Sequence, residues 1–100
     1  MIVHVRPTAL EDLFEAGRFY DTQEEGLGDQ VMDFLQAKIV ELELTGGMHP
    51  RHQGFHQMVV QGTFPYYVIY YSMELDGVHV RAVLDHRRDP KTIRRRLREV

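Results

Sequence analysis

The residues best suited to chemistry stand near the carboxyl end of the chain. His86 could transfer a proton while Arg81 and Arg87 hold a phosphate. Such a set could move a proton beside a bound phosphate while the cations stabilise the charge that develops on it. No lysine or arginine occurs between Arg51 and Arg81 to add to that stabilisation. We therefore assign no catalytic residue, and favour ion pairs of Arg87 and Arg88 with nearby carboxylates or the acidic helices.

The second segment that could bind something is the basic tail, where five of residues 91–98 are cations. It could grip nucleic acid or an acidic protein surface, or it could be a solvated amphipathic cap. In the first interpretation the target-binding residues are Arg94, Arg95, Arg96 and Arg98.

Histidine spacing suggests one metal site, which the neighbouring residues argue against. His49, His52 and His56 are separated by three and four residues, so on a helix they could face one ion. The stretch is a poor helix because it contains Gly46, Gly47, Pro50 and Gly54, and a solvated loop is favoured. We predict no metal and no other cofactor.

Composition sets the broad class. A chain of 100 residues forms a single domain, 1–100, and 43% hydrophobic residues can build a core. The absence of cysteine excludes disulfides and thiolate chemistry. We expect a cytoplasmic protein with no membrane contact, because neither a signal-peptide core nor a membrane-spanning run is present.

Charge is distributed unevenly between the two halves of the chain. Residues 1–50 carry three Lys/Arg against ten Asp/Glu, whereas residues 51–100 carry nine against five. The acidic half is typical of a solvated helical surface. The basic half could meet an anionic partner, because local field matters more than the net charge of −3.

Two amphipathic helices are predicted in the first half. The first runs from about Ala9 to Glu24, after a capping box formed by Thr8 and Glu11. The second covers residues 29–45. The short link at Gly26–Gly28 predicts that they pack as an antiparallel hairpin.

Strand periodicity replaces helix periodicity in the second half. We predict strands over residues 2–6, 55–61, 64–72 and 78–85. Asp89 and Pro90 then start a short final helix, anchored by Ile93 and Leu97 with its arginines largely outward. The predicted class is α+β, a helical hairpin packed on a small antiparallel sheet with a short carboxy-terminal helix.

Alternation along the strands assigns residues to faces. Val78, Val80, Ala82 and Leu84 should share one buried face of the last strand. Both faces of the strand 64–72 are apolar or aromatic, so the face with Tyr67, Ile69 and Tyr71 needs a cover. That cover is a carboxy-terminal segment, a second subunit or a partner protein.

Several motifs, in this order, resemble the RelE/ParE toxin superfamily over nearly the whole chain. They are Ala9 and Asp12-Leu13, Tyr20, Gly26-Leu27-Gly28, Phe64-Pro65-Tyr66, Ile69-Tyr70-Tyr71, and Ala82 to Pro90. The segment that follows the last predicted strand, Arg87-Arg88-Asp89-Pro90, resembles the ParE-like branch more than the RelE-like branch.

The resemblance implies the toxin of a type II toxin–antitoxin module of the plasmid-stabilisation kind. Its partner would be a cognate antitoxin, expected here on the face of Tyr67, Ile69 and Tyr71 or in the groove beside it. A ParE-like protein would inhibit DNA gyrase and need no enzyme chemistry. A RelE-like protein would instead cut messenger RNA on the ribosome, and a third alternative is a non-toxic family member that acts as a binding module.

Overall fold

The computed structural model describes all 100 residues and confirms the α+β class. The helices are α1 (Pro7–Gln23), α2 (Leu27–Val40), the single turn α3 (Leu42–Thr45) and α4 (Pro90–Glu99). The strands are β1 (Val3–Val5), β2 (Arg51–His52), β3 (Phe55–Val59), β4 (Tyr67–Glu74) and β5 (Gly77–Asp85). None of the helices has both the length and the apolar character that crossing a membrane would need.

Helices α1 and α2 form the predicted hairpin because two glycines let their backbones meet. A Cβ atom at Gly28 would overlap the carbonyl oxygen of Gly17. The Gly28 amide also donates a hydrogen bond of 2.7 Å to Asp21 Oδ1. The predicted capping box is wrong, since the helix already begins at Pro7 and the Thr8 hydroxyl donates to a β5 carbonyl instead.

The sheet has five strands in the order β1-β5-β4-β3-β2. Strand β1 runs parallel to β5, and the other neighbours are antiparallel. The predicted antiparallel sheet therefore has one parallel edge strand. Strand β4 begins only at Tyr67, three residues later than predicted, because Phe64 to Tyr66 form the preceding turn.

A β-bulge at Arg81 changes which side chains of β5 share a face. Tyr70 pairs with Ala82 but Tyr71 pairs with Val80, so Arg81 is an extra residue in the ladder. The prediction of one shared face is therefore wrong. Two residues, Val78 and Val80, lie in the hairpin core, whereas Ala82 and Leu84 lie in the core beneath α4.

The two sides of the sheet have separate covers. The hairpin buries Tyr67, Ile69 and Tyr71, which are at most 6% exposed. The premise that this face lacks a cover within residues 1–50 is wrong, because the helical hairpin of the same chain covers it. On the opposite face, α4 covers Val68 and Tyr70.

Candidate functional site

Helix α4 is held on the sheet by the features that its sequence predicts. Asp89 caps it by accepting a 2.8 Å hydrogen bond from the Lys91 amide, and Pro90 is its first residue. Leu97 is 5% exposed, and Ile93 packs against the same cluster of sheet residues. The basic tail is therefore a docked helix with one apolar side and one cationic side.

A partly buried ion pair fixes the other flank of α4. Arg96 approaches Asp12 with both terminal nitrogens, at 2.9 and 3.0 Å from the two carboxylate oxygens. The Val83 amide donates a third hydrogen bond to the same carboxylate at 3.0 Å. Burial raises the pKa of Asp12 against the effect of these bonds, and Asp12 in turn raises the pKa of Arg96. Arg96 therefore stays charged and is structural, not outward as predicted.

The remaining tail arginines form a free basic surface. Arg94, Arg95 and Arg98 are exposed, and none has an acidic side chain within 4.0 Å. We call these three residues the α4 basic face. Unpaired guanidinium groups on a rigid helix can bind carboxylates or phosphates without first breaking an internal pair.

A groove of about 550 Å³ runs between α1 and the end of β5. Its lining combines both charges with apolar surface: Asp12, Glu15, Ala16, Phe19, Tyr67, Val83, Asp85, Arg87 and Arg88. The groove adjoins α4, because Asp12, which lines the groove, also forms the ion pair with Arg96 of α4. Burial raises the pKa of the Tyr67 phenol, so this group stays protonated in the groove wall.

The two arginines of this groove pair within the chain, as predicted. Arg87 donates hydrogen bonds to the Asp85 carboxylate from two side-chain nitrogens, the shortest at 2.6 Å. Its guanidinium carbon lies 3.8 Å from the centre of the Tyr66 ring. Burial alone would raise the pKa of Asp85, but the hydrogen bonds from Arg87 lower it. Arg88 lies 3.8 Å from Glu15.

The structure does not bring His86, Arg81 and Arg87 together as a phosphate site. Arg81 donates to Ser72 at 3.1 Å and to Glu74 at 3.2 Å. It stands five residues before His86 along an extended strand, a separation of about 16 Å. His86 and Arg87 both lie beside the Tyr66 ring, but Arg87 is already paired with Asp85 and Arg81 is engaged with Ser72 and Glu74, so the three side chains do not converge.

Sequence reasoning missed Asp12 as a site residue. The signal was present, because Asp12 shares the buried stripe of α1 with Ala9, Leu13 and Ala16 at spacings of three and four. A carboxylate on a buried stripe needs a partner. Its partner Arg96 is 84 residues away, which spacing alone cannot reveal.

Two groups of histidines make contacts that the sequence did not predict. The stretch 46–54 includes strand β2, and His49 is tied to the buried Tyr71 hydroxyl at 2.6 Å. Separately, ligand atoms of His4, Asp76 and His79 all lie within 4.8 Å of one another, a grouping that could hold a metal ion.

The fold and these surfaces define a small α+β domain with a docked cationic helix beside a mixed-charge groove. No protein-family profile matches the chain, and no curated protein sequence matches it significantly.

Proposed function

We propose that this chain is the toxin of a type II toxin–antitoxin module, acting in the cytoplasm by binding DNA gyrase. A cognate antitoxin neutralises it. The resemblance in sequence motivates the family, and the α4 basic face carries the proposed mode of action. Three unpaired arginines on a fixed helix suit binding to an acidic protein surface.

The arrangement of the catalytic candidates supports binding over nuclease activity. Arg81 and Arg87 already neutralise Glu74 and Asp85, and His86 has no cation beside it that is free of such a pair. Each missing stabiliser of a developing charge lowers a rate by about a hundredfold or more. A protein without a convergent set would be a poor endoribonuclease.

We place the antitoxin in the groove between α1 and β5. Phe19 is 52% exposed at its wall, and charges of both signs surround this aromatic ring. An exposed aromatic within a polar rim is typical of a protein-binding surface. Phe19→Glu should weaken antitoxin binding while the domain stays folded, whereas Leu44→Glu, at an 87% exposed position elsewhere, should not.

Induced expression in bacterial cells tests the target. We expect growth inhibition with DNA breaks, reversed by overproduction of gyrase or by the protein encoded beside this one. Cleavage of ribosome-bound messenger RNA without DNA breaks would replace the proposal with a RelE-like endoribonuclease. Unimpaired growth with the protein folded and abundant would favour a non-toxic binding module.

A further inference from the structure

A separate cluster of side chains lies at the end of the sheet where β4 turns into β5. Parallel pairing of β1 with β5 places His4 directly opposite His79. The two imidazole rings stack with their centroids 4.5 Å apart and their planes 27° apart. Two imidazoles are thus side by side at the β1 edge of the sheet.

A carboxylate from the β4–β5 turn completes the cluster. Asp76 Oδ1 lies 2.7 Å from His79 Nε2, and Oδ2 lies 3.4 Å from His4 Nε2. All three ligand atoms are mutually within 4.8 Å. One ion placed among them would replace the internal hydrogen bonds with coordination bonds after small side-chain rotations.

The backbone holds these side chains in place before any ligand arrives. The Val78 amide donates to the Ile2 carbonyl at 2.8 Å, which fastens the turn to β1. Gly77 has a φ of 130°, and any side chain there would overlap the Ile2 carbonyl. His79 itself is only 10% exposed in its side chain, so its ring has little freedom. Preorganised ligands lose less entropy when they bind.

We propose that His4, Asp76 and His79 bind one divalent transition-metal ion of the zinc class. Imidazole nitrogen with a carboxylate is a ligand set that zinc and its first-row neighbours accept, whereas magnesium and calcium prefer oxygen alone. Three protein ligands leave one position for water. The ion would clasp the edge strand β1 to the β4–β5 turn, independently of any toxin activity.

One feature limits the strength of this site. His79 Nδ1 is buried and has no hydrogen-bond partner. Histidines that bind metals usually donate this second N–H to an acceptor, and loss of such a partner lowers affinity by about 10- to 100-fold. The site should therefore bind zinc reversibly and more weakly than a structural zinc centre does.

Calorimetric titration of zinc chloride into the chelator-treated, tag-free chain tests the proposal. We expect one zinc ion per chain and no heat with magnesium chloride. His4→Gln and Asp76→Asn should each weaken zinc binding by about tenfold or more, the usual size of losing a ligand or its support. His52→Gln removes an exposed histidine outside the cluster and should bind like the parent.

Thermal unfolding gives a second readout, since a ligand that binds only the folded state raises the midpoint temperature of unfolding. At one fixed zinc concentration the unfolding midpoint should rise by similar amounts in the parent and in His52→Gln, and by clearly less in His4→Gln. Absence of saturable zinc binding by the parent would overturn the proposal. So would full binding by His4→Gln, or binding lost in His56→Gln and kept in His4→Gln, which would assign the ion to the His49–Tyr71 region.

Discussion

At the scale of single residues, Asp12 connects three parts of the chain. Its carboxylate lies on α1, accepts a hydrogen bond from the Val83 amide of β5 and forms an ion pair with Arg96 of α4. A buried charge is tolerated only where such partners compensate the lost hydration. One side chain therefore couples the hairpin, the sheet and the basic helix.

Removal of this carboxylate should destabilise the domain strongly. Asp12→Ala leaves the Val83 amide and the Arg96 guanidinium without their partner, at a cost of about 3 kcal/mol in the free energy of unfolding. Glu11→Ala, which removes an exposed pair with Arg18, should change it by less than about 1 kcal/mol. Urea denaturation checks both, and similar losses for the two variants would contradict this role.

His49 should make stability depend on acidity. Gly47 donates its amide to the Tyr71 hydroxyl at 3.0 Å, so that hydroxyl can give its own proton to His49 Nδ1. Burial, and then the charge of His56, lower the pKa of His49 below its usual 6.5. The unfolded chain therefore takes up this proton more readily as the pH falls below about 6.5.

The expected consequence is a loss of stability on the acid side. Above pH 7 the neutral His49 contributes its hydrogen bond in full, and that contribution disappears as the pH falls through the lowered pKa. The difference in unfolding free energy between the parent and His49→Gln should shrink from pH 7.5 to pH 5. A difference that stays constant or grows in acid would refute this assignment.

At the scale of elements, α4 depends on the sheet for its existence. A helix of ten residues is marginal alone in water, so its cap and its apolar contacts must hold it. Leu97 supplies the buried contact, with Ile93 beside it. The α4 basic face is presented only while this docking lasts.

Leu97→Ala should therefore loosen the helix. The lost contact and the remaining cavity should cost about 2–4 kcal/mol. Trypsin should cut the arginine-rich helix faster in this variant than in the parent. Leu44→Ala, at an exposed leucine, is the matched control and should behave like the parent. Unchanged trypsin sensitivity in Leu97→Ala would argue against this account.

The hairpin depends in the same way on close backbone approach. Gly28→Ala places a methyl group against the Gly17 carbonyl and the Asp21 side chain. Such overpacking should cost about 1–3 kcal/mol despite the better helix propensity of alanine. Gln30→Ala, at an exposed position of the same helix, should not destabilise. Thermal or urea unfolding of the two variants makes the comparison.

At the scale of the whole molecule, charge is separated between surfaces. The acidic first half builds the hairpin, and the basic second half ends in α4. Arg87, Arg88 and Arg96 are engaged in ion pairs, which leaves the α4 basic face as a surface open to an anionic partner. Toxicity, if it acts through this face, should follow its charge.

Growth inhibition should thus distinguish two variants. Reversal of Arg94, Arg95 and Arg98 to Glu should abolish most of it, whereas His86→Ala should leave it nearly unchanged. If His86 were a general base, replacing it would lower the rate of the reaction about a hundredfold or more. Arg18→Glu, at an exposed α1 position, controls for charge reversal alone. An inactive His86→Ala protein that folds and binds its antitoxin would favour the endoribonuclease.

The order and approximate bounds of the larger elements follow from the sequence alone. Helical and strand periodicity, the Gly26–Gly28 link and the Asp89-Pro90 start of α4 are local signals, carried by residues a few positions apart. Local backbone preferences act over the same short range. Both the α+β class and the docked final helix could therefore be predicted.

Contacts between distant residues were decided by the tertiary structure. The bulge at Arg81 shifts the face of every later β5 residue, and simple alternation cannot detect one inserted residue. Asp12 meets Arg96 across 84 positions, and His4 meets His79 only because β1 joins β5 in parallel. These pairings depend on how the layers pack, since desolvation and hydrogen bonding select partners in space and not along the chain.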